Sequence, residues 1–414
     1  MKITFVSNYI NHHQIPVSNE LYRQLGEDYC FVQTEPIEAE RLQMGWEDQT
    51  GKLPYLKCYY EQPEVCKKLI MESDAVIFGG TDEESYIQDR LRAGNLTIRY
   101  SERLYKTGQW KAISPRGLIK KYQDHTRYRK APVYLLCAGG YVPYDSHVVH
   151  AYPEKMLKWG YFPATMELDI DEVWKQKNKK VIETGERVSK EGIMTLLWAG
   201  RFIDWKHPDL PILLTQQLKQ KGYNFHLTMI GGGDMEPEIH EMIREKQLED
   251  HVELAGFLSP KQVREKMLDS QIYLFTSDYQ EGWGAVLNEA MNSGCAVIAS
   301  HAIGAVPFLV QHGKNGLIFE SGNQKDFYNQ VEKLLQNQKE AEKLGKVAYQ
   351  TITDMWNAEK ATDRLLTIIK NLQLQEELSF YAEGPCSRAE VIPERKMLGR
   401  LKHVRTNQYH CTGL

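Results

Sequence analysis

Short apolar runs that end in a glycine or a small polar turn, each followed by a helical pattern, recur along both halves of this chain. In the first half, Ile3–Asn8, Tyr29–Gln33, Asp74–Phe78, Leu96–Tyr100 and Val133–Cys137 read as strands, with helices over Gln14–Leu25 and Glu83–Ala93. In the second half, His226–Ile230, Val252–Leu258, Ile272–Ser277 and Cys295–Ser300 continue the series. Such alternation calls for an α/β fold, a parallel sheet with helices on both faces. A Lys- and Glu-rich stretch, 173–190, divides the chain and reads as a linker. With 414 residues there is enough chain for two domains with sizeable cores.

The segment Tyr279-Gln280-Glu281-Gly282-Trp283-Gly284-Ala285-Val286-Leu287-Asn288-Glu289-Ala290 is richest in chemistry. Its spacing predicts a Gly-Trp-Gly turn after Glu281 and a helix that carries Glu289 about a turn and a half inside. Gly282 and Gly284 allow close backbone approach to a ligand. A helix opening there offers amides to an anion, and the two carboxylates suit hydroxyls. A nucleotide sugar has both. On spacing alone, a plain loop–helix junction with two solvated glutamates is as good a reading.

The neighbouring turns shift that balance. Leu196-Leu197-Trp198-Ala199-Gly200 ends in a loop with Arg201 and Lys206, and a planar fork beside a point charge suits a diphosphate. Gly231-Gly232-Gly233 follows a buried-type strand, with Pro237 near the start of the next helix. Gly256-Phe257-Leu258 makes another turn, and Ser259 precedes Pro260 as a helix N-cap. Ile303-Gly304-Ala305-Val306-Pro307 closes the series. From about Gly192 to Gly322 these motifs, in this order, resemble the C-terminal domain of the family-4 retaining glycosyltransferases, of the GT-B fold class. Ser7-Asn8-Tyr9-Ile10-Asn11-His12-His13-Gln14, Arg99-Tyr100-Ser101-Glu102-Arg103 and Trp159-Gly160-Tyr161-Phe162-Pro163 are similar to a bacterial surface-polysaccharide branch of it.

The resemblance implies two Rossmann-like domains with parallel sheets facing a central cleft. Residues 1–172 would form the acceptor-side domain, 173–190 the linker, and 191–353 the nucleotide-sugar domain. Residues 354–373 would form a helix returning to the first domain, and 374–414 a tail with no assigned role. It implies that Arg201 and Lys206 hold the diphosphate and that Glu281 accepts hydrogen bonds from the donor sugar. Amides of Gly282, Trp283 and Gly284 would face the sugar or phosphate, Glu289 the ribose, and Gly256-Phe257-Leu258 the base. Relatives carry a glycine pair after the first strand, where this chain has Asn11, His12 and His13. They carry a sugar-touching histidine where Ser101-Glu102-Arg103 stands. His12, His13, Glu102 and Arg103 are therefore candidates for donor-sugar or acceptor contact. The implied activity is retaining, metal-independent hexosyl transfer from a nucleoside-diphosphate sugar to a glycan or lipid-linked glycan, without a cofactor. A nucleotide-sugar-binding protein without transfer and a phosphorylase are the alternatives.

Composition narrows the setting. Hydrophobic content of 42% fits a globular protein, and a net charge of −4 argues against nucleic acid as a partner. Seven scattered cysteines suggest a reducing compartment, and the sequence predicts a cytoplasmic protein with no signal peptide or membrane span. Asp169-Ile170-Asp171 and the pair His147 and His150 resemble metal-binding patterns but lack companion ligands, so no metal is expected. Between Arg99 and Lys130 lie ten Lys or Arg and two acids, with Tyr100, Tyr105, Trp110, Tyr122 and Tyr128 among them. That stretch carries about +8 and leaves about −12 for the rest. It is expected either to be a solvated face or to seat the protein on an anionic membrane surface.

Overall fold

The computed structural model describes residues 1–43, 46–106, 114–179, 193–376, 380–393 and 395–399. Two compact units result, one of residues 1–164 with 355–394, the other of residues 165–354 with 395–414.

In the first unit, β1 (Ile3–Ser7), α1 (Ile15–Leu25), β2 (Tyr29–Gln33), α2 (Ala39–Gln43), β3 (Leu56–Cys58), α3 (Pro63–Glu72), β4 (Ala75–Gly79), α4 (Ser85–Ala93), β5 (Thr97–Ser101), α5 (Pro115–Asp124), β6 (Val133–Ala138), α6 (Val142–Val148) and β7 (Met156–Trp159) follow one another. The strands form one parallel sheet in the order β3-β2-β1-β4-β5-β6-β7. Every residue of β1, β2 and β4 is buried, because helices cover both faces. That is why these strands read as continuous apolar runs. β3 has three residues and β7 alternates a lysine among apolar side chains, so neither stands out in the sequence.

The second unit begins with α7 (Ile170–Lys179), then β8 (Met194–Ala199), α8 (Asp209–Gln220), β9 (Phe225–Ile230), α9 (Glu236–Glu245), β10 (Val252–Gly256), α10 (Pro260–Asp269), β11 (Ile272–Phe275), α11 (Val286–Asn292), β12 (Ala296–Ser300), α12 (Val306–Leu309), β13 (Leu317–Phe319), α13 (Gln324–Gln336) and α14 (Gln338–Asp354). Its parallel sheet runs β10-β9-β8-β11-β12-β13, the same winding as in the first unit. Ser259 caps α10 in a reciprocal capping box with Gln262. A last helix, α15 (Ala358–Gln373), packs on α1 and belongs to the first unit.

Three boundaries differ from the sequence reading. Residues 173–179 are not linker: they continue α7, whose Trp174 lies in the core of the second unit and whose Lys177 is buried. Lys177 Nζ donates to the carbonyls of Ser270 at 2.7 Å and Ser293 at 2.9 Å, so a charged pattern concealed a packed helix. The division therefore falls at Ala164, before that helix. Residues 180–190 lie outside the described residues.

The third difference is in the tail. Residues 386–389 lie along β7, with Cys386 N donating to Lys158 O at 2.8 Å and Ala389 N to Met156 O at 3.0 Å. Cys386 and Ser387 are buried there, so part of the tail closes an open sheet edge. Residues 400–414 lie outside the described residues.

Candidate functional site

The first cluster stands at the carboxyl ends of β8 and β11, where α/β sheets open to ligands. After β8, Gly200 leads into the loop of Arg201 and Lys206. Gly231 has φ +124°, and a Cβ there would meet Gly200 O at 1.9 Å, so the glycine turn after β9 presses against this loop. Thr276, after β11, ties the two loops together. Its hydroxyl donates to Lys206 O at 2.7 Å and accepts from Trp198 Nε1 at 2.8 Å. The backbone thus brings Lys206 Nζ to 2.6 Å from Glu281 Oε2, while Ser277 Oγ donates to the same oxygen at 3.0 Å. Lys206 also lies 4.6 Å above the Trp205 ring. Arg201 is exposed, and its guanidinium has no partner among the described residues.

The Gly-Trp-Gly turn is set by packing on both sides. Gly284 has φ +85°, and a Cβ there would collide with the Phe275 ring. Gly304, in the Gly-Ala-Val-Pro turn, sits so close that a Cβ would lie 1.7 Å from Gly282 O. Gly304 N and Ala305 N donate to Glu281 O and Trp283 O, at 3.3 and 3.1 Å. The carbonyls of the turn are thereby engaged, while the amides of Gly282, Gly284 and Ala285 have no partner among the described residues. The Trp283 indole is fully buried and donates to Asn288 Oδ1 at 2.8 Å. Its side chain wedges the turn and is not offered to a ligand.

The helix starts later than the spacing predicts. α11 begins at Val286, so Glu281 stands five residues before it and Glu289 is its fourth residue. Buttressing by Gly304 and Phe275 extends the loop at the expense of the first helical turn. Glu289 is partly buried, with no hydrogen-bonded partner for its carboxyl among the described residues. Burial pushes that carboxyl up to about 7, and Arg264 partly offsets the effect. Phe257, 66% exposed, extends from the turn after β10 and lies against Gly232. Gly256 (φ +66°) and Leu258 flank it.

Sequence reasoning passed over Thr276, Ser277 and His207. His207 has φ +50°, with its imidazole 3.8 Å from Asp278 Oδ2, and that carboxylate raises its pKa above the usual value. Only adjacency to Lys206 and Glu281 marks these residues, and that has no meaning until the loops meet.

The first unit contains a separate cavity of about 790 Å3, lined among others by His13, Trp46, Glu102, Arg103 and Tyr161. The ring of His12 meets Trp46 edge-on at 4.7 Å, and His13 stacks on Tyr161 at 5.9 Å. Burial lowers His12 to about 4 and His13 well below its ordinary value, so both rings are neutral near pH 7. His13 Nδ1 is buried without a hydrogen-bond partner among the described residues. Glu102 accepts from Tyr161 OH at 2.8 Å and from Lys106. Arg103 is buried against Asp145, with Nε and Nη2 each 3.2 Å from a carboxylate oxygen. Its guanidinium braces the wall more than it faces a ligand.

The acidic metal-like pattern has other partners. Asp169 Oδ1 accepts from the amides of Asp171 and Glu172 as an N-cap, and Asp171 pairs with Lys346 at 2.6 Å. His147 and His150 have ring centroids 6.4 Å apart. Among the described residues no group of three His, Cys, Asp or Glu is arranged to hold a metal ion. No described helix is long and apolar enough to cross a membrane.

Comparison with known proteins follows the same division. Residues 182–351 match the family described as "Glycosyl transferases group 1". The chain is 30% identical over 135 residues to the amylovoran biosynthesis glycosyltransferase AmsK of Erwinia amylovora, covering 31% of this chain and 33% of that protein. It is 23% identical over 256 residues to alpha-D-kanosaminyltransferase of Streptomyces kanamyceticus, covering 62% and 64%. These matches span about a third to two-thirds of the curated relatives' own length. Among solved structures, Anabaena HepE in complex with UDP superposes with a TM-score of 0.65 at 14% identity, over 90% of this chain and 100% of that one. The lipopolysaccharide outer core galactosyltransferase WaaB, in its apo form, gives 0.62 at 16% identity over 90% and 100%. Residues 182–351 thus match the group 1 glycosyltransferase domain, and the likeness to the solved structures gives the chain the GT-B fold.

Proposed function

We propose that this protein moves a sugar from a nucleoside diphosphate to a hydroxyl of a glycan or lipid-linked glycan. The configuration at the transferred carbon is retained, and the setting is bacterial surface-polysaccharide assembly at the cytoplasmic face of the membrane. The observation that carries the reading is the Lys206–Glu281 pair, 2.6 Å apart, at the head of a turn whose Gly282, Gly284 and Ala285 amides have no partner among the described residues. AmsK supports the polysaccharide setting, and HepE, solved with UDP, supports a nucleoside-diphosphate donor.

In this reading the amides of Gly282–Gly284, Arg201 and Lys206 receive the diphosphate. The bond from the sugar carbon to the diphosphate oxygen breaks while the acceptor oxygen bonds to that carbon on the same face. The acceptor's proton passes to the departing phosphate oxygen. Negative charge then grows on the leaving group, where fixed cations and amides stabilise it without reorganising. Glu281, held by Lys206 and Ser277, orients sugar hydroxyls. Glu289 accepts from the ribose, and exposed Phe257 covers the base. The first-unit cavity takes the acceptor, with aromatic faces at Trp46 and Tyr161 for sugar rings.

A thermal-shift panel of UDP, GDP and their sugars tests donor binding. Proton NMR of the product then tests the chemistry. An α-linked donor should give an α-glycoside, and excess EDTA should leave the rate unchanged. A β-glycoside, or a loss restored by manganese, would contradict this reading.

A further inference from the structure

The basic stretch of the first unit is not the uniform surface that its composition suggests. Arg99 is buried and paired with Glu84 at 2.7 Å, and Arg103 is buried against Asp145. Tyr100, Tyr105 and Tyr128 are core residues. Trp110 and Lys111 lie outside the described residues. The exposed remainder is α5 with the turn after it. None of the α5 side chains is buried. Leu118, Ile119 and Tyr122 are 44%, 58% and 59% exposed, at spacings that place them side by side on one helix face. Near them stand the exposed cations Arg116, Arg127, Arg129 and Lys130. Over residues 114–130 there are six Lys or Arg and one acid, Asp124, which Lys120 holds at 3.0 Å. The segment is +5 and the remainder of the chain −9.

Charge complementarity narrows the occupant. A second copy of the chain placed symmetrically on this face would set +5 against +5. A long nucleic acid would meet the −9 of the rest. Nucleic acid has no use for two aliphatic side chains held out into water, and a symmetric copy that could bury them must first overcome the like-charge repulsion. An anionic bilayer matches both features, because headgroups attract the cations while the apolar tips enter the acyl boundary. The other side of the same helix bears Lys120 and Lys121, which line the first-unit cavity.

We propose that α5 docks this protein on an anionic bilayer through Leu118, Ile119 and Tyr122 within their ring of cations. The cavity lined by Lys120 and Lys121 then lies at headgroup level, and its acceptor arrives from the membrane as a glycan on a phosphate-bearing lipid. This rests on the transfer reading only in taking the cavity as the acceptor site.

The full chain is sedimented with phosphatidylcholine vesicles, with and without phosphatidylglycerol. Binding should require the anionic lipid and be lost near 1 M salt, where the screening length is ~3 Å. One variant is Leu118→Gln with Ile119→Gln and Tyr122→Gln, and its vesicle affinity should fall at least roughly tenfold. The other is Arg116→Gln with Arg127→Gln, Arg129→Gln and Lys130→Gln. At about fivefold per cation it should lose at least about a hundredfold. Nucleoside-diphosphate affinity should be unchanged in both, which also shows that the variants are folded. Indifference to lipid charge, or unchanged vesicle binding in either variant, overturns the proposal. So does light scattering that shows a dimer broken by the apolar substitutions. Failure of the wild-type chain to bind anionic vesicles while it binds the nucleoside diphosphate would sink the docking proposal and leave the transfer reading standing, and the reverse result would sink that reading alone.

Discussion

In the second unit the candidate groups occupy loops that neighbouring parallel strands bring side by side, and short bonds tie them together. Thr276 bridges to the Lys206 carbonyl, Ser277 and Lys206 share one oxygen of Glu281, and Gly304 presses on Gly282. In the first unit the candidates come from separate elements and spend their charge on one another. Arg103 is sealed against Asp145, Glu102 is shared by Tyr161 and Lys106, and the two histidines are neutral by burial. The second arrangement exposes donors and acceptors to a ligand; the first shapes a cavity. A site whose chemistry lies in backbone turns is fixed by glycine spacing. A cavity walled by side chains from separate elements is fixed by which of them happen to meet there.

The largest effect that would sharpen this contrast lies at the cations. Lys206→Ala or Arg201→Ala should cost roughly 3–4 kcal/mol of transition-state stabilisation with the fold intact, since in the proposed reading each removes a donor to a growing anion. Steady-state kinetics checks this, and retention of more than about a tenth of wild-type kcat/KM, a factor of ~1.4 kcal/mol, by both variants would break it. Next is Gly304→Ala. Its new methyl has no room beside Gly282 O, so the turn must move, and a displacement of ~1 Å is enough to cost about a hundredfold in turnover. Circular dichroism should show the fold retained, and undiminished turnover would mean that the turn is not held as described.

A smaller effect follows from Glu289. Its carboxyl titrates at about 7 in place of 4.5, so the protonated form is favoured in the fold. The raised value means that this residue's stabilising contribution is present below 4.5 and is lost as pH rises through 7. If Glu289 binds ribose as proposed, it does so ionised, and nucleoside-diphosphate affinity should rise about tenfold from pH 6 to pH 8. Glu289→Gln should abolish that dependence in calorimetry, and an identical pH profile in the variant would remove Glu289 from the binding site. The smallest effect concerns the first unit. His12 is lowered from 6.5 to about 4, so its contribution is present above pH 6.5 and is lost as pH falls towards 4. His12→Gln should blunt the acid-side fall in Tm by a few degrees, a change of about 1 kcal/mol. A Tm profile parallel to that of the wild type would mean that the ring is not desolvated.

The same contrast explains what was legible in the sequence. Fully buried parallel strands such as β1 and β4 leave continuous apolar runs, and the positive φ values of Gly231, Gly256 and Gly284 leave glycines at fixed places. The second-unit motifs could therefore be read directly. Three-residue β3 leaves no period, and the Lys–Glu pattern of residues 173–179 conceals a helix whose Trp174 and Lys177 are buried. The Arg103–Asp145 pair joins residues 42 apart in sequence, and no local spacing announces it. Ser277 and His207 acquire their places only when two loops converge. Of the exposed apolar tips of α5, Tyr122 stands out in the sequence among the interleaved aromatics, while Leu118 and Ile119 read as ordinary apolar residues.

In the proposed reading the second unit separates nucleoside binding, at Glu289, from sugar transfer, at Glu281. Calorimetry with the free nucleoside diphosphate on Glu289→Ala and Glu281→Ala tests it most directly. Affinity should fall markedly in Glu289→Ala and stay nearly wild-type in Glu281→Ala, although the latter transfers no sugar. Equal losses in the two variants would contradict it.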